Sequence, residues 1–230
     1  MKEHRVLDAR VMSDHRPLFA VLEFAVKGGG ENPESAHFDA AVAGQMPAGW
    51  TASITGEGSP RWTVERDPSA PSPPHALKQS AETPKPSYPL CLRQDPQLKD
   101  GFVEVKFKVV SGKIDQAAGV VWRAKDARNY YVCRANALED NVVLYKVENG
   151  KRQALDIVER SGGYGVNTRV TPREWHTLQV EFTGPRFKVS LDGKPLFEVE
   201  DRTFPDAGLT GVWTKADSVT LFDDFRSEGR

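Results

Sequence analysis

The stretch FVEVKFKVV, residues 102–110, alternates apolar and charged side chains over its length. Val103, Val105 and Phe107 fall on one side of an extended chain, and Glu104 and Lys106 fall on the other. A period of two residues predicts a β-strand with one face in a core and one face in water. A chain built on such strands needs a second layer to cover the apolar face.

Further strand signals follow at short and regular spacing, among them QAAGVVWRA, NYYVCRAN, VVLYKV, WHTLQVEF and GLTGVW. Asn149-Gly150 and Asp192-Gly193 have the composition of two-residue hairpin turns. No stretch combines helical periodicity with capping residues. Ten or more strands joined by hairpins predict an all-β protein, an antiparallel β-sandwich.

Composition excludes several classes of partner. The 230 residues carry 31 Lys and Arg against 32 Asp and Glu, so a net charge of -1 creates no general attraction to nucleic acid or to an anionic membrane. No apolar run approaches the roughly 18 residues of a membrane span. We therefore expect no nucleic-acid partner and no membrane partner.

The glycine-rich stretch KGGGENPES, residues 27–35, has the composition of a flexible linker. It divides a short N-terminal segment, residues 1–26, from a sandwich domain, residues 36–230. A Pro/Ser-rich passage from Asp67 to Pro89 resembles a linker too, but the tryptophan-containing stretches before it and the strands after it favour a loop within the domain.

The N-terminus lacks the apolar core of about 7 to 15 residues that a secretory signal needs. Localisation stays open, and export is compatible with the sequence if an upstream region carries the signal. Cys91 and Cys133 are too few for a disulfide framework, and we expect two buried free thiols, with a single bridge as the alternative.

The order of several motifs resembles the concanavalin A-like (lectin/glucanase, laminin G-like) jelly roll, in the branch called 3-keto-disaccharide hydrolase or DUF1080. The motifs are FDAAVAGQMPAGW, FVEVKFKVVSG, AGVVWRAKDARNYYVCRANALEDNVVLY, WHTLQVEFTGPRFKVSLDGKPLFEVED and GLTGVWTKADSVTLFDDF. The resemblance implies a jelly-roll sandwich whose concave sheet meets sugar. Such folds serve lectins, hydrolases and adhesion modules, so fold alone does not assign function.

Polar residues interrupt the apolar middle strands. Arg123, Arg134 and Asn136 end strands that are otherwise apolar, and a buried arginine is costly unless it is paired or faces a groove. Aromatic faces and planar donors suit a sugar. The candidate ligand-binding residues are Arg123, Tyr131, Arg134, Asn136, Asp140, Trp213, Lys215 and Asp217.

A structural interpretation competes with this one. Arg134 can pair with Glu139 or Asp140, one of the adjacent tyrosines can belong to the core, and Trp213 can serve packing alone. The sequence does not decide whether Arg134 and Trp213 share a face.

We expect a non-catalytic carbohydrate-binding or surface-recognition module, the C-terminal part of a larger protein whose upstream domain is a further partner. The Glu-x-Asp-x-x-Glu pattern of family 16 glucanases, which supplies the two carboxyls of glycoside hydrolysis, is absent. The enzyme alternative is a 3-keto-glycoside hydrolase or lyase, because elimination beside a carbonyl needs a base and a cation. No base stands out in the sequence.

Acidic residues at the two ends of the domain suggest a metal site. Asp39 and Asp224 become neighbours if the first and last strands pair. Carboxylates at such a junction suit a structural Ca²⁺ ion, and strand-end acids without a metal are the alternative.

SDHRPLFAVLEF, residues 13–24, resembles the closing motif of the endonuclease/exonuclease/phosphatase fold. On that resemblance His15 contacts a scissile phosphate and Asp14 orients it or supports a metal. The metal ligands of that family would precede Met1, so we expect a remnant strand. The alternatives are a chance Asp-His pair before a β-strand and, less favoured, a metal-dependent phosphodiesterase fragment.

Overall fold

A computed structural model describes residues 35–160, 162 and 164–230. The 1–26 segment, with Asp14 and His15, lies outside the described residues, so the remnant and the linker boundary stay predictions. The strands are β1 (Ser35–Ala36), β2 (Trp50–Thr55), β3 (Trp62–Arg66), β4 (His75–Gln79), β5 (Tyr88–Leu98), β6 (Gly101–Ser111), β7 (Ala117–Asp126), β8 (Asn129–Asn136), β9 (Asn141–Glu148), β10 (Lys151–Ala154), β11 (Val166–Asn167), β12 (His176–Thr183), β13 (Arg186–Leu191), β14 (Lys194–Glu200), β15 (Gly208–Thr214) and β16 (Val219–Gly229).

These strands form two eight-stranded antiparallel sheets. The first sheet has the order β14-β13-β12-β6-β16-β4-β3, with β1 paired to β16. The second sheet has the order β10-β9-β8-β7-β15-β5-β2, with β11 paired to β9. The predicted all-β antiparallel sandwich is confirmed. In the described part of the chain, a single 3-10 turn at Phe38–Ala40 is the only helical element, and no helix there could cross a membrane.

The side chains of β6 alternate between buried and partly exposed, as the two-residue period predicts. Val103, Val105 and Phe107 are fully buried between the sheets, whereas the side chains between them are partly exposed. Both predicted hairpin turns form, since Asn149-Gly150 joins β9 to β10 and Asp192-Gly193 joins β13 to β14. All four turn residues have positive φ, the conformation that favours Asn, Asp and Gly at these positions.

The core between the sheets is rich in aromatic rings. Trp122 of β7 stacks on Tyr131 and Phe182 and meets Phe187 edge-on, at centroid distances of 5.5, 6.0 and 5.3 Å. Cys91 and Cys133 are buried free thiols, as predicted.

The second sheet is apolar on both faces. Tyr131 and Cys133 point into the core, and the alternate residues Tyr130 and Val132 join a separate apolar cluster with Trp213. That second cluster contains only residues of the second sheet and its connections. It defines the outer face of this sheet, which carries the candidate site.

Candidate functional site

Arg134 is the centre of the polar cluster on the outer face. Its side chain is fully buried. Its guanidinium donates to Asn141 Oδ1, to Glu139 Oε2 at 2.7 Å, to Tyr145 Oη at 3.2 Å and to Tyr164 Oη at 3.1 Å. We call these five residues the Arg134 cluster. The strand alternation that sends Cys133 into the core sends Arg134 to the opposite face.

The cluster extends from the buried sheet to the surface. Glu139 is 38% exposed in its side chain and Tyr164 is 46% exposed, whereas Tyr145 is buried. Arg134 Nε is buried and has no hydrogen-bond partner among the described residues. A ligand on this face would therefore meet groups that are held in place by a buried arginine.

Electrostatics keep the ion pair of the cluster charged. Burial alone would lower the pKa of Arg134, but Tyr145 and Glu139 outweigh it and raise this pKa above its ordinary value. Burial would raise the pKa of Glu139, but the charge and hydrogen bond of Arg134 hold it below its usual range. The pair is therefore ionised across the physiological pH range.

The two phenols of the cluster differ. Burial raises the pKa of Tyr145. Burial would also raise the pKa of Tyr164, but its hydrogen bond with Tyr145 and the positive charges of Arg134 and Arg152 outweigh burial and lower it. Tyr164 is the phenol of the cluster that reaches the surface and releases its proton more readily.

A second set of polar side chains supports the turn that carries Glu139. Asn136 Nδ2 donates to Asp115 Oδ1 at 2.7 Å, and Asn136 Oδ1 accepts the backbone N–H of Glu139 at 3.2 Å. Asp115 also forms a buried ion pair with Lys215. Asn136 and Lys215 thus lie next to the Arg134 cluster, where they fix its outer turn.

Asp140 and Asp217 hold loops by accepting backbone hydrogen bonds. Asp140 Oδ1 accepts from Val170 N at 2.9 Å. Asp217 accepts from the N–H groups of Lys113 at 2.6 Å, Ile114 at 3.0 Å and Asp115 at 2.9 Å. Their carboxylates are used within the fold, which gives both residues a structural role around the site.

Arg123 and Tyr131 lie away from the Arg134 cluster. Arg123 donates to the carbonyls of Lys99 at 2.7 Å and Gly184 at 2.7 Å, among other partners. Tyr131 donates to Asp201 Oδ1 at 2.6 Å and points into the core. Arg123 therefore connects loops through hydrogen bonds, whereas Arg134 lies on the outer face.

Trp213 shares the outer face with Arg134. Its ring stacks on Tyr88 at 5.3 Å and its Nε1 donates to Tyr130 Oη at 3.3 Å. Trp213 is fully buried, so it packs within this face and is not available to a ligand. Arg152 of β10 lies over Tyr88, Tyr145 and Trp213, with its Cζ 4.7, 4.4 and 5.9 Å from their ring centroids.

Sequence reasoning missed Tyr145, Arg152 and Tyr164. The alternation of VVLYKV from Asn141 places Tyr145 on the same face as Arg134, and the two-residue turn places Arg152 opposite Val147. The Asn149-Gly150 turn was visible in the sequence, whereas the face of Tyr145 follows from the strand register. Tyr164 lies in an irregular segment, and no periodicity there indicates its position.

The proposed junction of the first and last strands forms, since Ala36 of β1 pairs with Phe225 of β16. Asp39 accepts hydrogen bonds from Ser72 and His75, and Asp224 contacts His37 Nδ1 at 2.8 Å and Lys106 Nζ at 2.6 Å. Residues 35–160, 162 and 164–230 contain no group of three or more His, Cys, Asp or Glu suited to a metal. Calcium at Asp39 and Asp224 stays a prediction.

The Asp217 carboxylate is expected to stabilise the fold. Asp217→Asn should lower the free energy of unfolding by about 1–3 kcal/mol at pH 7, because an amide accepts these N–H groups with one oxygen and no charge. The hydrogen bonds lower the pKa of Asp217 against burial, so its contribution is present above the unfolded pKa and lost as pH falls through the folded one. Urea titrations at pH 7 and pH 3 measure both effects. An unchanged midpoint at pH 7 would contradict the assignment.

The chain is similar to a known protein family and to a known enzyme. A family model described as 3-keto-alpha-glucoside-1,2-lyase-like domain matches residues 36–220. The levanase of Bacillus subtilis (strain 168) is 32% identical over 115 residues, which are 49% of this chain and 15% of the levanase. The chain therefore spans a small part of that relative's length.

Solved structures agree on the fold. The carbohydrate binding module CBM66 from Bacillus subtilis is similar with a TM-score of 0.60 and 21% identity, over 78% of this chain and 95% of the module. The cellulose induced protein Cip1 is similar with a TM-score of 0.60 and 12% identity, over 84% of this chain and 96% of Cip1. The predicted resemblance to the concanavalin A-like jelly roll and its 3-keto-disaccharide branch is confirmed.

Proposed function

Because the chain belongs to the family of 3-keto-α-glucoside-1,2-lyase-like domains, we propose that the outer face of its second sheet binds carbohydrate without turning it over. The observation that carries the proposal is the Arg134 cluster, in which a fully buried guanidinium holds a half-exposed carboxylate and a half-exposed phenol. A buried arginine is costly unless it is paired and hydrogen-bonded, and the partners of Arg134 include the two groups that reach the surface.

The chemistry of the cluster suits sugar hydroxyls. Glu139 offers a carboxylate, and Tyr164 offers a hydroxyl beside an exposed ring face. Vicinal hydroxyls need donors and acceptors in alternation, and C–H surfaces of a sugar ring pack on aromatic faces. Because Arg134 orients these groups before binding, little conformational entropy is lost on binding.

The relatives support the proposal at the level of chemistry. One matched structure is a carbohydrate binding module, and one matched sequence is a levanase in which the similar stretch is 15% of the protein. A stretch that covers 15% of the levanase is the size expected of one module joined to further domains. We therefore include in the proposal that the chain functions as one part of a larger protein.

Binding to immobilised glycans tests the proposal. The panel contains levan, cello-oligosaccharides and galactose-containing glycans, and we expect the wild-type chain to retain at least one of them. Tyr164→Ala should weaken that binding by about 10-fold, because an exposed aromatic face contributes about 0.5–1.5 kcal/mol beyond its buried area. Trp175→Ala is the matched control, since Trp175 is a partly exposed ring beside Lys108 of the first sheet. Equal losses for both variants, or no retention on the panel, would contradict the proposal.

A second candidate function follows from one observation, the environment of the Tyr164 phenol. Tyr164 is exposed, and Arg134 and Tyr145 hold its oxygen with a lowered pKa. These are the base and the cation that a 3-keto-glycoside lyase needs. In that reaction the phenolate takes the proton from the carbon beside the keto group, a C1–C2 double bond forms, and the aglycone oxygen leaves from C1 with the bonding pair.

Turnover of a 3-keto-disaccharide separates the two functions. If the lyase operates, the wild-type chain releases the aglycone and Tyr164→Phe lowers the rate by at least about 100-fold while it retains the ring and its binding. If the chain is a binding module, wild type and Tyr164→Phe both bind without release. Equal turnover by wild type and Tyr164→Phe would exclude Tyr164 as the base.

A further inference from the structure

Arg152 occupies an unusual place on the outer face of the second sheet. The hairpin turn at Asn149-Gly150 sets Arg152 opposite Val147, on the same side as Tyr145. Its guanidinium lies over the rings of Tyr145, Tyr88 and Trp213. Three aromatic rings thus support one partly buried cation.

Arg152 has no acidic counterpart in the part of the chain that the structure describes. Its Nη1 is buried and has no hydrogen-bond partner there. The ring faces offset part of the cost of desolvating the charge, but they give the buried Nη1 no hydrogen-bond acceptor. An apolar side chain would cover the same rings without that cost, so packing alone does not account for an arginine here.

The other buried cations of this face are neutralised by neighbouring carboxylates. Arg134 pairs with Glu139 at 2.7 Å, and Lys215 pairs with Asp115. Arg152 adds a positive charge that these pairs do not balance. The outer face therefore attracts an anion at Arg152 while the Arg134 cluster is close to neutral.

Arg152 lies close to the Arg134 cluster. The Cζ atoms of Arg134 and Arg152 lie 5.9 and 4.4 Å from the centroid of the same Tyr145 ring. The exposed phenol of Tyr164 accepts a hydrogen bond from Arg134 at 3.1 Å, so it extends the cluster to the surface. A saccharide held at the Arg134 cluster can therefore place a substituent at Arg152.

We propose that Arg152 forms a carboxylate subsite, and that the preferred ligand of this face is an acidic saccharide containing a uronic acid. The proposal rests on the proposed function, because it assumes that a saccharide occupies the outer face. The planar fork of an arginine matches the two oxygens of a carboxylate.

Calorimetric titration with oligogalacturonides and with their methyl esters tests the subsite. Esterification removes the negative charge and retains the sugar, so the two ligands form a matched pair. We expect the acid to bind the wild-type chain about 10-fold to 100-fold more tightly than the ester, the range for one charge-assisted hydrogen-bonded contact. Arg152→Gln should abolish that preference and leave the affinity for the ester within about 3-fold.

Two further variants sharpen the test. Arg152→Lys retains a point charge without the planar fork, so it should keep a smaller part of the preference. Arg186→Gln removes an exposed arginine from the first sheet and should change nothing. Thermal unfolding of each variant checks that it is folded.

The outcomes separate this inference from the proposed function. Equal binding of acid and ester by the wild-type chain overturns the carboxylate subsite, and retention of neutral glycans in the same preparation leaves the proposed function intact. If Arg152→Gln and Arg186→Gln lost the preference for the acid over the ester equally, that result would also overturn the carboxylate subsite, because the preference would then come from total charge. Tighter binding of a sulfated oligosaccharide that depends on Arg152 would overturn the assignment to a carboxylate.

Discussion

Arg134→Met is expected to weaken glycan binding strongly and to lower the free energy of unfolding by about 3–5 kcal/mol. The binding loss should reach at least about 30-fold, as for a hot-spot residue, because Glu139 and Tyr164 lose the group that orients them. The stability loss arises because Arg134 is fully buried and its removal leaves Asn141 and the Tyr145 hydroxyl without this donor. Urea unfolding and glycan retention measure the two effects on the same preparation.

A double variant separates orientation from folding. Arg134→Met with Glu139→Gln removes both ends of the ion pair, so it should recover part of the stability lost in the single variant. It should not recover binding, because the donors and acceptors of the cluster stay unordered. If the double variant regained binding along with stability, Arg134 would act only through the fold. If Arg134→Met bound glycan as wild type does, the cluster would not be the site.

Asp223 is expected to make the chain less stable as the pH rises. It is fully buried on β16, and burial raises its pKa to about 6, with the negative charges of Asp224 and Asp39 adding to the rise. Below about pH 4 the carboxyl is protonated in the folded and the unfolded chain. Between about pH 4 and 6 the unfolded chain loses the proton first, so the free energy of unfolding falls, by about 3 kcal/mol in total.

The variant Asp223→Asn should remove this slope, because an amide does not titrate. Its backbone partners, Ser72 N and Asp224 N at 2.8 Å each, share one amide oxygen in the variant, which costs about 1 kcal/mol. The variant should therefore be less stable than wild type at pH 4 and more stable at pH 8. Urea titrations at both pH values measure the difference. Asp217→Asn is the matched control, because the lowered pKa of Asp217 gives a pH dependence of opposite sign. Parallel pH curves for wild type and Asp223→Asn would refute the prediction.

Local patterns predicted the architecture because strand and turn preferences act over a few residues. The alternation around Val105 indicated a half-buried strand, and β6 is that strand. Asn149-Gly150 indicated a tight hairpin, and β9 and β10 are joined by it. The quoted motifs together indicated the jelly roll that the structure has.

Local patterns could not divide the residues of the second sheet between its faces. NYYVCRAN is apolar at most positions, so the period of two residues carries no signal in it. Tyr130 and Tyr131 look equivalent in sequence, yet one lies on the outer face and the other in the core. The same ambiguity made Arg123 and Arg134 equal candidates.

By itself the sequence determined an all-β sandwich, its principal turns and the family to which the motifs belong, because these depend on local periodicity and residue type. The tertiary structure alone decided that Arg134, Tyr164 and Arg152 meet on one face. Their meeting depends on a strand register, a hairpin and an irregular segment separated by many residues, and contacts at such separations are set by packing of the whole sheet. The chemistry of these residues comes from side chains that are close in the folded structure, and the sequence pattern does not show which side chains these are.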